Sequence, residues 1–302
     1  MKEDKQGIIN ALIAFGLWGV YPLFWWLLQG VSPTELLINR MLWSFTTLLI
    51  VIIVFKKVPL LKETLIFLKN NKNKLLLVVL AAVLICINWF IFTYAIVSGR
   101  VLEVSLGYYI NPLFNVMIGV FFLKEKLNKY QVLAIIIAFI GILYLSLSYG
   151  VLPWVSLILA VTFCFYGVVK KFVGIDSLMS LFLEMTLLLP ISLFFTYNWI
   201  QSGSSIFITG STYTITLILL TGIVTVSPLY FFAKAASKLQ LKTLGFIQYI
   251  GPSLQMIMAI TIIGEPFSTN RLITFIFIWI ACLLFSTSHY LIKLSPLQLK
   301  KT

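Results

Sequence analysis

Tyr109-Ile110-Asn111-Pro112 recurs 140 residues later as Tyr249-Ile250-Gly251-Pro252, and both copies sit inside long apolar stretches. The same offset pairs Phe92 with Phe232, Ala95 with Ala235, and Glu125 with Glu265. Trp18-Gly19 faces Tyr166-Gly167 at an offset of 148, as expected where connecting loops differ in length. Self-similarity at such a spacing is the mark of a duplicated architecture. It divides the chain into residues 1–148 and 149–302.

Composition says what is duplicated. The chain is 61% apolar and only 10% charged, which cannot be arranged as a globule with a polar surface. Lipid must cover most of it. The longest stretch expected to face water is the lysine-rich segment from Lys56 to Lys74, so a separate soluble catalytic domain has no room. The net charge of +13 comes from basic residues dispersed between apolar spans, not clustered with aromatics, which argues against a nucleic-acid partner. Cys86, Cys164 and Cys282 lie in apolar segments without metal-ligand spacing, so neither a metal nor a cofactor is expected. The first apolar stretch is too long for a secretory signal core and lacks a small-residue cleavage site.

At about 20 residues per crossing, helices are expected near 8–28, 35–55, 75–97, 102–122, 130–148, 152–170, 179–197, 214–235, 243–263 and 270–291. Basic residues test that count independently, because a wrong number would scramble their alternation. With the N-terminus inside, the cytoplasmic side collects Lys2, Lys5, the lysines from Lys56 to Lys74, Lys124, Lys126, Lys129, Lys170, Lys171, Lys238, Lys242 and the C-terminal lysines. The opposite loops hold only Arg100 and Arg271. Ten transmembrane helices with both termini cytoplasmic are therefore expected. Five helices per half is an odd number, which turns the second copy upside down. The expected fold is an all-α integral membrane protein of two inverted five-helix repeats, an arrangement that lets a central site open to one side and then the other.

The chain resembles the RarD branch of the EamA-type carriers in the drug/metabolite transporter superfamily. The resemblance runs over essentially the whole length. It is carried by Trp18-Gly19, Asn39-Arg40-Met41-Leu42-Trp43-Ser44, Asn88-Trp89, and Glu103-Val104-Ser105-Leu106-Gly107-Tyr108-Tyr109-Ile110-Asn111-Pro112. Phe165-Tyr166-Gly167 with Lys170-Lys171, Glu184-Met185-Thr186, Leu244 to Pro252, and Phe275 to Trp279 extend it. It implies a ten-helix permease of a bacterial inner membrane, in a family named for a link to chloramphenicol sensitivity. Asn39 stands where the family's His-Arg pair has histidine, which removes a titratable group from that position.

Ionisable residues inside a membrane are costly and usually face protein or a water-filled space. Arg40, two turns into the second span, is either an anchor for an anionic substrate or a static cation, snorkelling or paired with Glu35 or Glu103. Glu184 is too short to reach the interface. It suits a coupling proton, a cationic substrate or a fixed hydrogen bond. Lys234 either meets substrate or extends to the headgroups. Asn88 beside Trp89 offers donor, acceptor and ring surface to a solute, or an amide bond between helices. Pro112 and Pro252 each free a carbonyl four residues earlier and are expected to kink their helices at matched depths, with Tyr108, Tyr109, Asn111, Gln248 and Tyr249 around them. Ala134, Ala138 and Gly141 form a ridge that either packs the halves together or forms a homodimer.

No glycine-rich phosphate loop, HExxH pair or Ser/His/Asp set is visible, and the only histidine, His289, ends the last span. This leaves secondary transport of a small solute, an amino acid, metabolite or amphipathic drug, with protons as the candidate coupling ion. The site is expected near mid-membrane among Arg40, Asn88, Trp89, Tyr108, Glu184 and Gln248. The rival readings are an intramembrane enzyme on a lipid-linked substrate, using Glu184 as acid and base, and a non-transporting sensor.

Overall fold

The computed structural model describes residues 5–123, 128–236, 238–239 and 247–293. Glu125, Lys242 and Leu244-Gly245-Phe246 lie outside the described residues, as do both chain ends. All regular structure among the described residues is helical.

Each expected span overlaps a helix among the described residues, the span 243–263 only in part, since residues 243–246 lie outside them. These helices are α1 (Lys5–Trp26), α2 (Pro33–Val54), α4 (Lys72–Val97), α5 (Val101–Leu123), α6 (Lys129–Tyr149), α7 (Trp154–Val173), α8 (Ser177–Gln201), α10 (Thr212–Ala236), α11 (Ile250–Thr261) and α12 (Thr269–Lys293). Among the described residues, seven helices are long and apolar enough, by length and composition, to cross a membrane: α1, α2, α4, α6, α8, α10 and α12. The apolar helices Trp154–Lys170 and Ile250–Thr261 are shorter. α9 (Ile206–Thr209) is a single turn.

Local chemistry sets the ends. Ser32 caps α2 by accepting the Glu35 N–H at 3.1 Å, with Pro33 at the first helical position. Asp176 caps α8 through the N–H groups of Leu178 and Met179 at 2.9 and 3.2 Å. Asn128 and Gln131 close a capping box on α6. The lysine-rich segment, expected as a water-exposed stretch, contains α3 (Val58–Asn70). Thr64 and Leu68 of α3 are buried while Leu65, Ile66 and Phe67 remain exposed beside its lysines, the two-sided character of a helix at a membrane surface.

The principal helix pairs all join an element before residue 149 to one after it. α1 packs on α10 and α11, α7 packs on α4 and α5, α2 packs on α8 and α10, α5 packs on α11, and α6 packs on α12. Small residues let backbones approach. A Cβ on Gly222 of α10 would lie 2.1 Å from the Trp43 carbonyl oxygen of α2. One on Gly141 would lie 2.7 Å from Phe277 Cβ, so the Ala134-Ala138-Gly141 ridge of α6 is seated on α12, inside the molecule. Buried hydroxyls and amides tie the same crossings: Tyr21 to Ser227 at 2.7 Å, Gln255 to the Trp18 carbonyl at 3.0 Å, and Ser105 to the Pro252 carbonyl at 2.7 Å. Large apolar side chains such as Ile53, Val54, Phe139, Phe194 and Leu283 face outward, as lipid contact requires.

Candidate functional site

Arg40 lies where α1, α2, α4 and α10 meet. Its guanidinium carbon is 4.1 Å from the Trp89 ring, 4.8 Å from Trp25 and 5.6 Å from Phe92. Nε donates to Thr225 Oγ1 on α10 at 3.1 Å, and Tyr108 of α5 is within electrostatic reach. The side chain is buried, and Nη1 has no protein partner. One turn on, Trp43 Nε1 and Ser44 Oγ also lack partners, at i+3 and i+4 from Arg40 on one face of α2.

No carboxylate among the described residues holds Arg40. Among the described residues, Glu35 accepts the Ile206 N–H at 2.7 Å, and Glu103 forms a bidentate pair with Arg100 at 2.7 and 2.9 Å. Neither partner that the sequence offered for Arg40 is engaged with it. Glu265, in the loop before α12, accepts the N–H groups of Val101 and Leu102, the latter at 3.1 Å, and lies 3.7 Å from Arg271. Burial lifts the Glu265 carboxyl above the ordinary carboxylate range, against the pull of those N–H donors and of Arg271.

Glu184 on α8 is fully buried, and its environment is the opposite of Arg40's. Lys170 Nζ reaches Oε1 at 2.7 Å, Ser180 Oγ the same oxygen at 2.7 Å, and the Tyr166 hydroxyl Oε2 at 3.0 Å. The charge is neutralised and hydrogen-bonded in place. In the sequence, Lys170 served topology and the family resemblance and was not a site candidate. The available signal was its i+4 spacing from Tyr166, which puts both on one face of α7 opposite a buried acid.

A file of rings connects the two charges. Phe92 lies 6.3 Å from Tyr108, Tyr108 lies 6.1 Å from Phe163, and Phe163 lies 6.2 Å from Tyr166, which bonds Glu184. The caps show a further relation. Arg40 stands eight residues past Ser32, the cap of α2, and Glu184 eight residues past Asp176, the cap of α8.

The remaining candidates divide. Trp89 and Tyr108 belong with Arg40. Asn88 faces α7, donating to the Leu159 carbonyl at 3.1 Å and to Thr162 Oγ1 at 2.9 Å, an interhelical bond. Asn111 is buried with Oδ1 unpartnered. Tyr249 stacks on Tyr109 at 6.1 Å, where the Tyr109 hydroxyl meets Ser253 at 2.5 Å. Gln248 lies in the turn before α11, and its carbonyl takes the Gly251 N–H at 3.2 Å. Pro252 sits in the first turn of α11, where a missing N–H is tolerated, and Pro112 lies within α5. Lys234 is exposed, with Nζ over the Tyr230 ring at 4.3 Å, away from the Arg40 cage.

Comparison with known proteins agrees with this architecture. The profile of the EamA-like transporter family matches residues 5–147. An uncharacterized transporter, YojE, of Bacillus subtilis is 38% identical over 95% of each chain. Protein RarD of Escherichia coli is 37% identical over 94% of this chain and 95% of its own. The chloramphenicol-sensitive protein RarD of Pseudomonas aeruginosa is 30% identical over 94% of each. One crystal structure superposes with a TM-score of 0.57 at 16% identity, over 92% of this chain and 96% of the other, a likeness of fold. The chain is thus a multi-pass membrane protein that belongs to the EamA-like transporter family, in its RarD branch.

Proposed function

We propose that this protein is a secondary-active carrier of a small solute, working by alternating access between inverted five-helix halves at residues 1–148 and 149–302. Ten spans cross the membrane with both termini cytoplasmic, and no nucleic acid is involved. The observation that carries this reading is the pairing of equivalent positions, Arg40 and Glu184, across halves that interleave. Exchanging the halves turns α1 on α10 and α11 into α7 on α4 and α5, and both sets of contacts occur. At 1.5 Å per residue, each charge lies about 12 Å along its helix from the cap. In a core about 30 Å thick, inverted halves place them just either side of the midplane. The solute then passes between them along Phe92, Tyr108, Phe163 and Tyr166, with Trp89 and Asn111 nearby. Glu265, tying the loop before α12 to the start of α5, holds one end of the passage shut.

The test is uptake into proteoliposomes of purified protein, with labelled amino acids and amphipathic drugs, with and without an imposed pH gradient. Saturable, protein-dependent accumulation is expected, and accumulation that follows the gradient identifies protons as the coupling ion. Arg40→Ala and Glu184→Gln are each expected to reduce flux. Unchanged saturable flux in both would remove the site assignment while leaving the carrier in place.

A further inference from the structure

We infer that Arg40 is the receptor for one carboxylate group, so that the solute is an organic acid with an apolar or aromatic body. This rests on the carrier reading only for the word solute. The binding site itself follows from the geometry around Arg40.

A buried guanidinium normally faces a carboxylate or a set of carbonyls, because an uncompensated charge in a low-dielectric interior is expensive. Here every described carboxylate near the bundle is engaged elsewhere: Glu35 with Ile206, Glu103 with Arg100, Glu184 with Lys170, and Glu265 with α5. What surrounds Arg40 is ring surface, from Trp25, Trp89 and Phe92. Rings stabilise a guanidinium electrostatically but accept no hydrogen bond in its plane. Thr225 occupies Nε, which leaves the edge carrying Nη1. That edge suits a planar acceptor with two oxygens. The unpartnered groups along the same face of α2 point to the same ligand: the Trp43 indole is a donor only, and the Ser44 hydroxyl can donate. A cation and an indole N–H on one face, with no acid beside them, exclude a cationic solute. The aromatic lining favours a carboxylate over the more strongly hydrated phosphate, because the anion must shed its water to enter.

The test is binding in detergent, read by tryptophan emission, since Trp25 and Trp89 flank the guanidinium. Acetate, butyrate and 3-phenylpropionate are titrated in parallel with the matching amides and amines. A saturable response is expected for the acids, strengthening with the apolar body, and none for amides or amines at the same concentration. Arg40→Gln should weaken acid binding by about tenfold or more, the worth of a charge-assisted hydrogen bond. Arg40→Lys should retain part of it, having the charge without the fork. Thermal melting provides the second readout. A buried arginine without a carboxylate counter-charge predicts that Arg40→Gln melts no lower than the parent without ligand and loses the stabilisation that 3-phenylpropionate gives the parent. Amides binding as well as their acids, or acid binding that survives Arg40→Gln, overturns the inference, as does an acid series without any saturable response. Acid binding through Arg40 in a protein that carries nothing leaves this inference standing and overturns the carrier. Flux of an uncharged solute, unaffected by Arg40→Gln, does the reverse.

Discussion

Arg40 and Glu184 each stand eight residues past a helix cap yet have opposite electrostatic surroundings. Glu184 is matched on the spot by Lys170, Tyr166 and Ser180, whereas Arg40 is surrounded by rings, bonded only to Thr225 among the described residues, and left with Nη1 unpartnered. Truncating one member of a buried pair leaves the other charge uncompensated, at a cost of about 3–5 kcal/mol, while removing both together is far milder. Glu184→Leu should therefore lower the melting temperature of the purified protein sharply, and Lys170→Met added to it should recover most of the loss. Additive losses in the double variant would show that the pair is not coupled. Both charges were legible in the sequence, because an ionisable residue inside an apolar span stands out without any structure. Their partners were not. Lys170 lies 14 residues away on another helix, and Thr225 is 185 residues from Arg40, separations that no local pattern reports.

At the scale of the helix, the boundary at Ser32-Pro33 before α2 was legible in the sequence, while the capping box of Asn128 and Gln131 on α6 and the left-handed Gly150 and Gly174 after α6 and α7 are set by residues that the sequence reading did not use. α3 was missed because its lysines dominate the composition of 56–74, while its two buried residues, Thr64 and Leu68, are one turn apart and too few to set a period. Which helix touches which was equally hidden, since lipid-facing and protein-facing surfaces are both apolar. Gly222 exposes one such contact. Alanine there drives a methyl into the Trp43 carbonyl and separates α10 from α2, which also pulls Thr225 away from Arg40. Gly222→Ala should destabilise by about 1–3 kcal/mol, the usual cost of overpacking. Gly16, a helical glycine with open space around its Cβ, is the control: Gly16→Ala should be neutral or stabilising. Equal melting temperatures for the two variants would mean that α2 and α10 do not approach as closely as described.

Over the whole molecule, the proposed repeat rests on sequence matches at a fixed spacing, whereas the packing of helices before residue 149 on helices after it left no signal in the sequence. The proposed inversion has a direct consequence for topology. Ser98, just after α4, and Lys238, just after α10, are equivalent at the offset of 140, and both are exposed. A parallel duplication puts equivalent residues on the same side of the membrane, whereas an inverted one puts them on opposite sides. With Cys86, Cys164 and Cys282 replaced, Ser98→Cys should react with an impermeant maleimide added outside intact cells, and Lys238→Cys only after permeabilisation. Lys57→Cys, at the start of the lysine-rich segment, should behave like Lys238→Cys, and Ser202→Cys, after α8, like Ser98→Cys. The same assay bears on Arg40 and Glu184, because their helices start from the same two faces. If Ser98→Cys and Lys238→Cys label from one side, the two charges lie at one depth. The passage between them along the aromatic file then no longer crosses the midplane, and alternating access by exchange of the halves fails with it.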